Sequence, residues 1–274
     1  MRTAIVTFHL CILSKWVQSS PVSSSGSQLI DRTFDTTLGA QVPLVSKQEA
    51  TNMTGVDSEI DLTNGWVDPR ILGGRLLDFT TRHKGEPLNV IISSKSDPYI
   101  LSEIGFSIYA KQVGLCSPYF CKLNLECLGL HYGNVHQANL GDGNERQDEQ
   151  MLARQYYFMR PGGPVLGTCW ESLAGGNHFR SWKQNGTKAN SGAWFLGVSK
   201  EEHSGKHHMI IPDGYNIGRD FLVAQAISSP THWNSLWWQA EVEWVEGLLE
   251  PGNDGVNHGI DQDGFVAVLT VTRL

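Results

Sequence analysis

Residues 177–183 read Asn177-His178-Phe179-Arg180-Ser181-Trp182-Lys183. The period of two in this stretch predicts a strand that carries His178, Arg180 and Trp182 on one face. After a turn-rich connection, Ala193 to Ser199 supplies the predicted antiparallel partner strand. The sequence therefore predicts a hairpin with two ionisable side chains on one face of a sheet.

Further elements are predicted on both sides of this hairpin. The apolar run Leu88 to Ile92 predicts a buried strand, and Ser96-Asp97-Pro98 predicts the start of a helix that ends at Val113. The remaining predicted elements are a strand at Cys127–Leu130, a helix between Gly143 and Phe158, a strand at His207–Ile211, a helix at Asn216–Ile227, a strand from Trp238 to Trp244 with both tryptophans in the core, and a strand at Phe265–Thr272. This order predicts an α+β single domain with a mostly antiparallel mixed sheet packed against two or three helices.

The N-terminal region is predicted to be processed and irregular. Residues 1–19 begin Met1-Arg2 and continue through an apolar stretch, which is typical of a secretory signal peptide. Residues 20–63 are rich in Ser, Thr, Gln and Gly and predict a disordered leader. The domain is then expected to span residues 64–274 of a secreted protein, and no later apolar run is long enough to predict stable membrane insertion.

Composition restricts the classes of partner. The net charge is −7, from 21 basic and 28 acidic residues without a basic patch, so nucleic acid and anionic membrane surfaces are excluded as expected partners. A small-molecule, lipid or carbohydrate ligand is expected instead. The chain has nine tryptophans, and Trp233, Trp237 and Trp238 cluster. Exposed indoles are platforms for sugars and lipids, so a non-catalytic carbohydrate- or lipid-binding protein is one alternative. The oligomeric state has no sequence signal.

The cysteines and sequons fit a secreted protein. Cys11 would leave with the signal peptide, and the remaining four cysteines are Cys116, Cys121, Cys127 and Cys169. Because their spacing is not that of a zinc site, disulfides are expected. Cys127–Cys169 is the preferred bridge, with Cys116–Cys121 as a second pair, although all three pairings of four cysteines remain open. Asn52 and Asn185 lie in glycosylation sequons.

The predicted site lies between Gly175 and Asp220, because this region is unusually rich in ionisable groups. The candidate catalytic residues are His178, Arg180, His208, Asp213, Arg219 and Asp220.

Two chemistries remain open for these residues. His178, His208 and Asp213 could ligate a divalent metal, or the histidines could form hydrogen bonds within a polar seam. Without a metal, His178 or His208 would act as a general base, while Arg180 and Arg219 hold a phosphate or carboxylate. Arg219 and Asp220 could alternatively form a structural ion pair.

Several spaced pieces resemble the C-terminal domain of the bacterial LssY family. They are His178-x-Arg180-x-Trp182, Ala193-Trp194-Phe195-Leu196-Gly197, His207-His208-x-Ile210-x-Pro212-Asp213 and Gly218-Arg219-Asp220-Phe221-Leu222-Val223, and the strand Leu88 to Ile92 also fits. Residues 68–274 also resemble a group of secreted-looking fungal proteins. The resemblance implies an α+β domain. The bacterial domain often follows membrane segments of the phosphatidic-acid-phosphatase type, which this chain lacks. An ester or phosphoester hydrolase is the function we expect.

Overall fold

A computed structural model describes residues 63–113, 115–116, 134–155 and 174–274. Ten strands lie in these ranges: β1 Val90–Ile92, β2 Leu115–Cys116, β3 Gln137–Ala138, β4 Gln147–Asp148, β5 Met151–Gln155, β6 Gly176–Lys183, β7 Trp194–Glu201, β8 Thr231–Trp233, β9 Leu236–Val245 and β10 Val266–Arg273. Eight of them form one sheet in the order β2-β5-β6-β7-β1-β10-β9-β8. Only β1 and β10 pair in parallel, so the sheet is mixed and mostly antiparallel.

Within the described ranges, three α-helices accompany the sheet: α1 Pro98–Leu101, α2 Glu103–Gln112 and α3 Gly214–Ile227. Asp97 caps α1 by accepting a hydrogen bond from the Tyr99 amide at 2.8 Å. Ser102 is extended and caps α2 by accepting from the Gly105 amide at 3.0 Å. The predicted single helix is therefore two helices that meet at Ser102.

Both faces of the sheet are covered. On one face the helices pack onto apolar side chains, and Phe106 of α2 stacks on Trp194 with ring centroids 4.5 Å apart. On the other face Trp182 and Phe195 pack against side chains from irregular segments, including Trp66 and Leu248. We call this second side the loop-covered face. His178 and Arg180 share it with Trp182, because all three occupy alternate positions of β6.

The α+β single-domain prediction is confirmed, and so are the positions of the strands that correspond to β1, β6, β7, β9 and β10. The helix predicted between Gly143 and Phe158 is wrong where the structure describes it, since β4 and β5 lie there. The polar residues misled the prediction, because β4 pairs with β3 in a small two-stranded sheet and β5 buries only alternate residues, so neither strand needs a continuous apolar run. The strand predicted at His207–Ile211 is also wrong. Both His207 and His208 have a positive φ, which makes this segment a turn.

One core prediction on β9 holds only in part. Trp238 is fully buried, as predicted, but Trp244 is 43 % exposed and lies against the guanidinium of Arg219, 5.0 Å from its ring centroid. Alternation places Trp244 on the helix face, beyond the region that the helices cover completely.

Several predictions lie outside the described residues: the signal peptide, nearly all of the leader, the Cys127–Cys169 bridge, the strand at Cys127–Leu130 and the Asn52 sequon. Asn185 is described and is exposed in the connection between β6 and β7, so its glycosylation stays a prediction. Within the described ranges, the helices are all too short or too polar to cross a membrane.

Candidate functional site

A row of polar side chains crosses three neighbouring strands on the loop-covered face. Arg154 of β5 pairs with His178 of β6, which pairs with Ser199 of β7. Two residues further along β7, Glu201 contacts the row. Its Oε2 lies 2.6 Å from Nη1 of Arg154, and its Oε1 lies 3.3 Å from Nδ1 of His178. The Ser199 hydroxyl is 3.2 Å from the same Nδ1.

A turn after β7 brings His208 back to this row. The Glu202 amide donates to the Met209 carbonyl at 2.8 Å, and Glu201 forms a bridge with Ile210. The left-handed backbone at His208 (φ 53°) places its Nδ1 3.4 Å from Oε2 of Glu201. His208 is the most exposed side chain of the group, at 17 %, against 2 % for His178. We call Arg154, His178, Glu201 and His208 the Glu201 cluster.

Charges in the Glu201 cluster are fixed by its environment. Burial lowers the pKa of His178 to about 3, although Glu201 acts in the opposite direction, so this imidazole is neutral. Burial alone would raise the pKa of Glu201. Three neighbours outweigh that effect, so the pKa of Glu201 lies below its ordinary value: His178, which is charged only in strong acid, Arg154 and His208. The carboxylate is therefore ionised, and it lies 3.3 and 3.4 Å from the Nδ1 atoms of His178 and His208. Nδ1 of His208 is buried and makes no hydrogen bond to a described residue in this arrangement.

A second ion pair lies one row along the same face. Arg180 of β6 hydrogen-bonds through Nη1 to Glu149, and both side chains are nearly buried. Oε2 of Glu149 also accepts from the His136 amide at 3.3 Å, which links this pair to the segment before β3.

A third group lies in the irregular segments that cover the sheet. We call Asp78, Glu86 and His136 the carboxylate–histidine cluster, because one ligand-type atom of each lies within 4.8 Å of the others. Oδ1 of Asp78 accepts from the Glu86 amide at 2.7 Å and from both the amide and the hydroxyl of Thr80. Its Oδ2 lies 2.7 Å from Nδ1 of His136.

Glu86 is the unusual member of this cluster. Its side chain is only 6 % exposed. Burial and the neighbouring Asp78 raise its pKa to about 7, while His136 and Arg180 act in the opposite direction. The cluster is electrostatically connected to the Glu201 cluster, because Glu201 also raises the pKa of Glu86 and His136 helps to lower that of His178.

The structure brings together three of the six predicted catalytic residues. His178, Arg180 and His208 lie on the loop-covered face, where Glu201 joins the two histidines. Asp213 lies at the start of α3 and accepts from Asn216 at 2.6 Å.

Arg219 and Asp220 lie in a separate ion-pair network that includes Asp263. Nη1 and Nη2 of Arg219 bind the two carboxylate oxygens of Asp263 at 2.6 and 2.8 Å, and Nη1 also donates to the Phe265 carbonyl. Asp220 completes this network with an oxygen 2.8 Å from Nη2 of Arg219. Of the two alternatives for Arg219, an anion-binding role and a structural ion pair with Asp220, the structure contains the ion pair.

The predicted metal ligands His178, His208 and Asp213 do not converge. Among the described residues, a group of three ligand-type side chains within 4.8 Å is found only in the carboxylate–histidine cluster. His178 and His208 instead share one carboxylate, and Asp213 is held by Asn216 at the helix start.

A cavity of about 550 Å³ lies beside the His208 turn. Its lining includes Met209, Asp213 and, from the β9–β10 connection, His258. Burial lowers the pKa of His258, while the Glu201 charge acts in the opposite direction. Met209 and Ile210 in this lining directly follow His208 in the chain, whereas the four residues of the Glu201 cluster do not themselves line the cavity.

Sequence reasoning missed six residues of these groups: Asp78, Glu86, His136, Glu149, Arg154 and Glu201. Glu201 had a usable signal, because extending the alternation of β7 by two residues past Ser199 places it on the face of His178. The residues of the carboxylate–histidine cluster lie outside or at the ends of regular elements, so no periodicity could have joined them.

Comparisons with family models, curated proteins and solved structures give no match for this chain. The resemblance to the LssY C-terminal domain therefore stays a prediction, and the chemistry has to be argued from the geometry.

Proposed function

We propose that this protein is a hydrolase of esters or phosphoesters, and that His208 oriented by Glu201 is its general base. The observation that supports the proposal most strongly is the position of Glu201. Its buried carboxylate contacts both histidines and Arg154, and one of those histidines reaches solvent. A carboxylate that orients a partly exposed imidazole is the arrangement that general-base catalysis uses.

The neighbouring groups supply the remaining functions. The cavity beside His208 would hold the substrate, with Asp213 and His258 in its wall. Arg154 and Arg180 place permanent positive charge on the same face and would stabilise negative charge that develops on the substrate. Nδ1 of the neutral His178 lies 3.3 Å from the Glu201 carboxylate, and the Ser199 hydroxyl lies 3.2 Å from the same nitrogen.

The proposed reaction consumes one water molecule. His208 takes a proton from water as the water oxygen bonds to the carbonyl carbon or phosphorus, and the bond to the leaving alcohol oxygen then breaks. The proton passes from His208 to that oxygen, so the products are an acid and an alcohol and the imidazole returns to its starting state.

The adjacent histidines provide a matched test. His207 and His208 share a left-handed backbone, but His207 is exposed and only His208 contacts Glu201. The two probes are p-nitrophenyl butyrate and bis(p-nitrophenyl) phosphate, and we expect the wild-type protein to hydrolyse at least one of them. His208→Gln should lower kcat/KM by about 100-fold or more, since a general base contributes that much. His207→Gln should stay within about twofold, because a change at an exposed position without contacts is usually silent. Equal rates for His208→Gln and wild type, or no turnover of either probe, would contradict the proposal.

The positions of the exposed tryptophans argue against the alternative function, a non-catalytic carbohydrate- or lipid-binding protein. Trp237 is 46 % exposed and stacks on His232 at 4.5 Å, while Trp244 is exposed on the same strand. They are seven positions apart in the chain, so alternation places them on opposite faces of β9. They cannot form one flat platform for a sugar or lipid. Secretion, the disulfide pairing and glycosylation accompany the proposal as predictions.

A further inference from the structure

We infer that Asp78, Glu86 and His136 form a binding site for one divalent transition-metal ion of the Zn²⁺ or Mn²⁺ type. The first observation is convergence. A pairing between Leu77 and Pro87 closes the segment that carries both carboxyl groups, and the Asp78 amide donates to the Glu86 carbonyl at 2.9 Å. The third member, His136, immediately precedes β3 and reaches Asp78 across this segment.

The second observation is independent and concerns Glu86. Its side chain is 6 % exposed, and no hydrogen-bond donor among the described residues reaches its carboxyl oxygens, although one of them lies within 4.8 Å of ligand-type atoms of both Asp78 and His136. The carboxyl group keeps only slight contact with solvent, so it loses most of its water without a replacement from the described residues, which is costly. A cation bound between the three side chains would supply the missing partner.

Nearby cations do not meet this need. The guanidinium of Arg75 donates to the backbone carbonyls of Leu77 and Asp78 rather than to a carboxylate. Arg180 is hydrogen-bonded to Glu149. Two carboxyl groups and one imidazole therefore offer ligand-type atoms within 4.8 Å of one another, and a divalent ion would neutralise both carboxylates.

The donor set indicates the class of ion. One imidazole nitrogen and two carboxylate oxygens suit Zn²⁺ or Mn²⁺, whereas Ca²⁺ and Mg²⁺ prefer oxygen alone. Three protein ligands leave one position for water, as in catalytic sites. Nδ1 of His136 and Oδ2 of Asp78 are 2.7 Å apart, so the ion would replace the hydrogen that they share.

Calorimetric titration of Zn²⁺ into untagged, EDTA-dialysed and chelator-free protein tests the inference. We expect about one ion per chain with micromolar or tighter affinity. Glu86→Gln and His136→Gln should each weaken binding by at least about tenfold. The control is His83→Gln, which changes an exposed histidine of the same segment and should bind as wild type does.

Two further readouts separate loss of a ligand from loss of the fold. Saturating Zn²⁺ should raise the Tm of wild type and His83→Gln but not of Glu86→Gln, because only binding to the native state stabilises it. Co²⁺ should give visible absorption bands that His136→Gln alters. Absence of stoichiometric binding, or wild-type affinity in both Glu86→Gln and His136→Gln, would overturn the inference and assign any zinc to surface histidines. Because no substrate is present, this result is independent of the proposed hydrolysis.

Discussion

At the scale of the residue, Glu201 shows how one buried carboxylate can organise several side chains. It contacts Arg154, His178 and His208, which come from two other strands and a turn. Burying an ionised carboxyl costs several kcal/mol unless it is paired, and Arg154 provides that pairing. Apolar side chains in the same row would make the protein at least as stable as this buried ion pair does. The presence of the ion pair is therefore consistent with a functional requirement.

The depressed pKa of His178 predicts a pH-dependent loss of stability. The unfolded chain protonates this imidazole below about pH 6.5, whereas the folded protein does so only near pH 3, so acid favours unfolding between these values. For this group alone, the free energy of unfolding should fall by about 2 kcal/mol between pH 7.5 and pH 5. In His178→Gln this part of the fall should be absent. Urea denaturation of both proteins at several pH values measures the difference.

His207→Gln serves as the control for this experiment, because it removes an exposed histidine from the same protein. A wild-type stability profile that is parallel to that of His178→Gln between pH 5 and 7.5 would show that His178 does not titrate with a lowered pKa.

The network around Arg219 predicts a purely structural effect. Replacement by Lys removes the two-oxygen contact with Asp263 and the stacking on Trp244, because an ammonium group cannot bind in that planar geometry. We expect the free energy of unfolding to fall by about 1–2 kcal/mol, with kcat/KM unchanged. A large loss of activity at unchanged stability would contradict this structural role and indicate that Arg219 takes part in catalysis.

At the scale of the element, helix α3 approaches β7 unusually closely. A Cβ on Gly218 would come within 2.5 Å of the backbone carbonyl carbon of Ser199, so only glycine fits at this crossing. Asn177 of β6 also donates to the Gly218 carbonyl at 2.7 Å. The helix thus fixes the backbone of the strand pair that carries the Glu201 cluster.

Gly218→Ala should therefore destabilise the protein, by about 1–3 kcal/mol or more, because the added methyl group must push the helix and strand apart. The same substitution should lower activity at a temperature where the protein is still folded. Gln225→Ala, at an exposed position of α3, should have little effect on either. Thermal unfolding and kcat/KM of the two variants decide the point. An unchanged Tm in Gly218→Ala would contradict the close approach.

The regular elements could be predicted from sequence, but the site only in part. Alternation in β6 correctly placed His178 and Arg180 on one face, since a period of two depends only on strand geometry. His208 was correctly selected but assigned to a strand. Its contact with Glu201 depends on a left-handed turn, a conformation that is uncommon outside glycine and that no pattern in this segment predicts. Asp78 and His136 are brought together by tertiary packing of irregular segments, for which local sequence has no signal.

At the scale of the whole molecule, the irregular segments of the loop-covered face are attached to the sheet by polar contacts. Gln184, just after β6, accepts from the Val67 amide at 3.0 Å and donates to the carbonyls of Val67 and Leu140 at 2.9 and 3.2 Å. Ser191 donates to the same side chain at 2.6 Å. One fully buried amide thus joins three segments around the sheet.

Gln184→Leu should leave these backbone groups buried without partners and lower the free energy of unfolding by about 2–4 kcal/mol. Gln150→Leu, at an exposed position, is the control. Amide hydrogen exchange should show that Val67, whose amide donates to Gln184, loses protection in Gln184→Leu while β7 and β10 keep theirs. Unchanged exchange at this amide would show that the apolar contacts alone hold the segment.

The most direct test of the central claim, that His208 is a general base, is rescue by free imidazole. At φ 53° glycine is well suited to position 208, so His208→Gly removes the side chain while favouring the observed backbone. We predict that hydrolysis of the active p-nitrophenyl probe falls by about 100-fold or more in this variant, and that added imidazole restores much of it. His207→Gly should neither lose activity nor respond to imidazole. A His208→Gly variant that keeps its activity, or that folds and loses activity without any rescue, would contradict the claim.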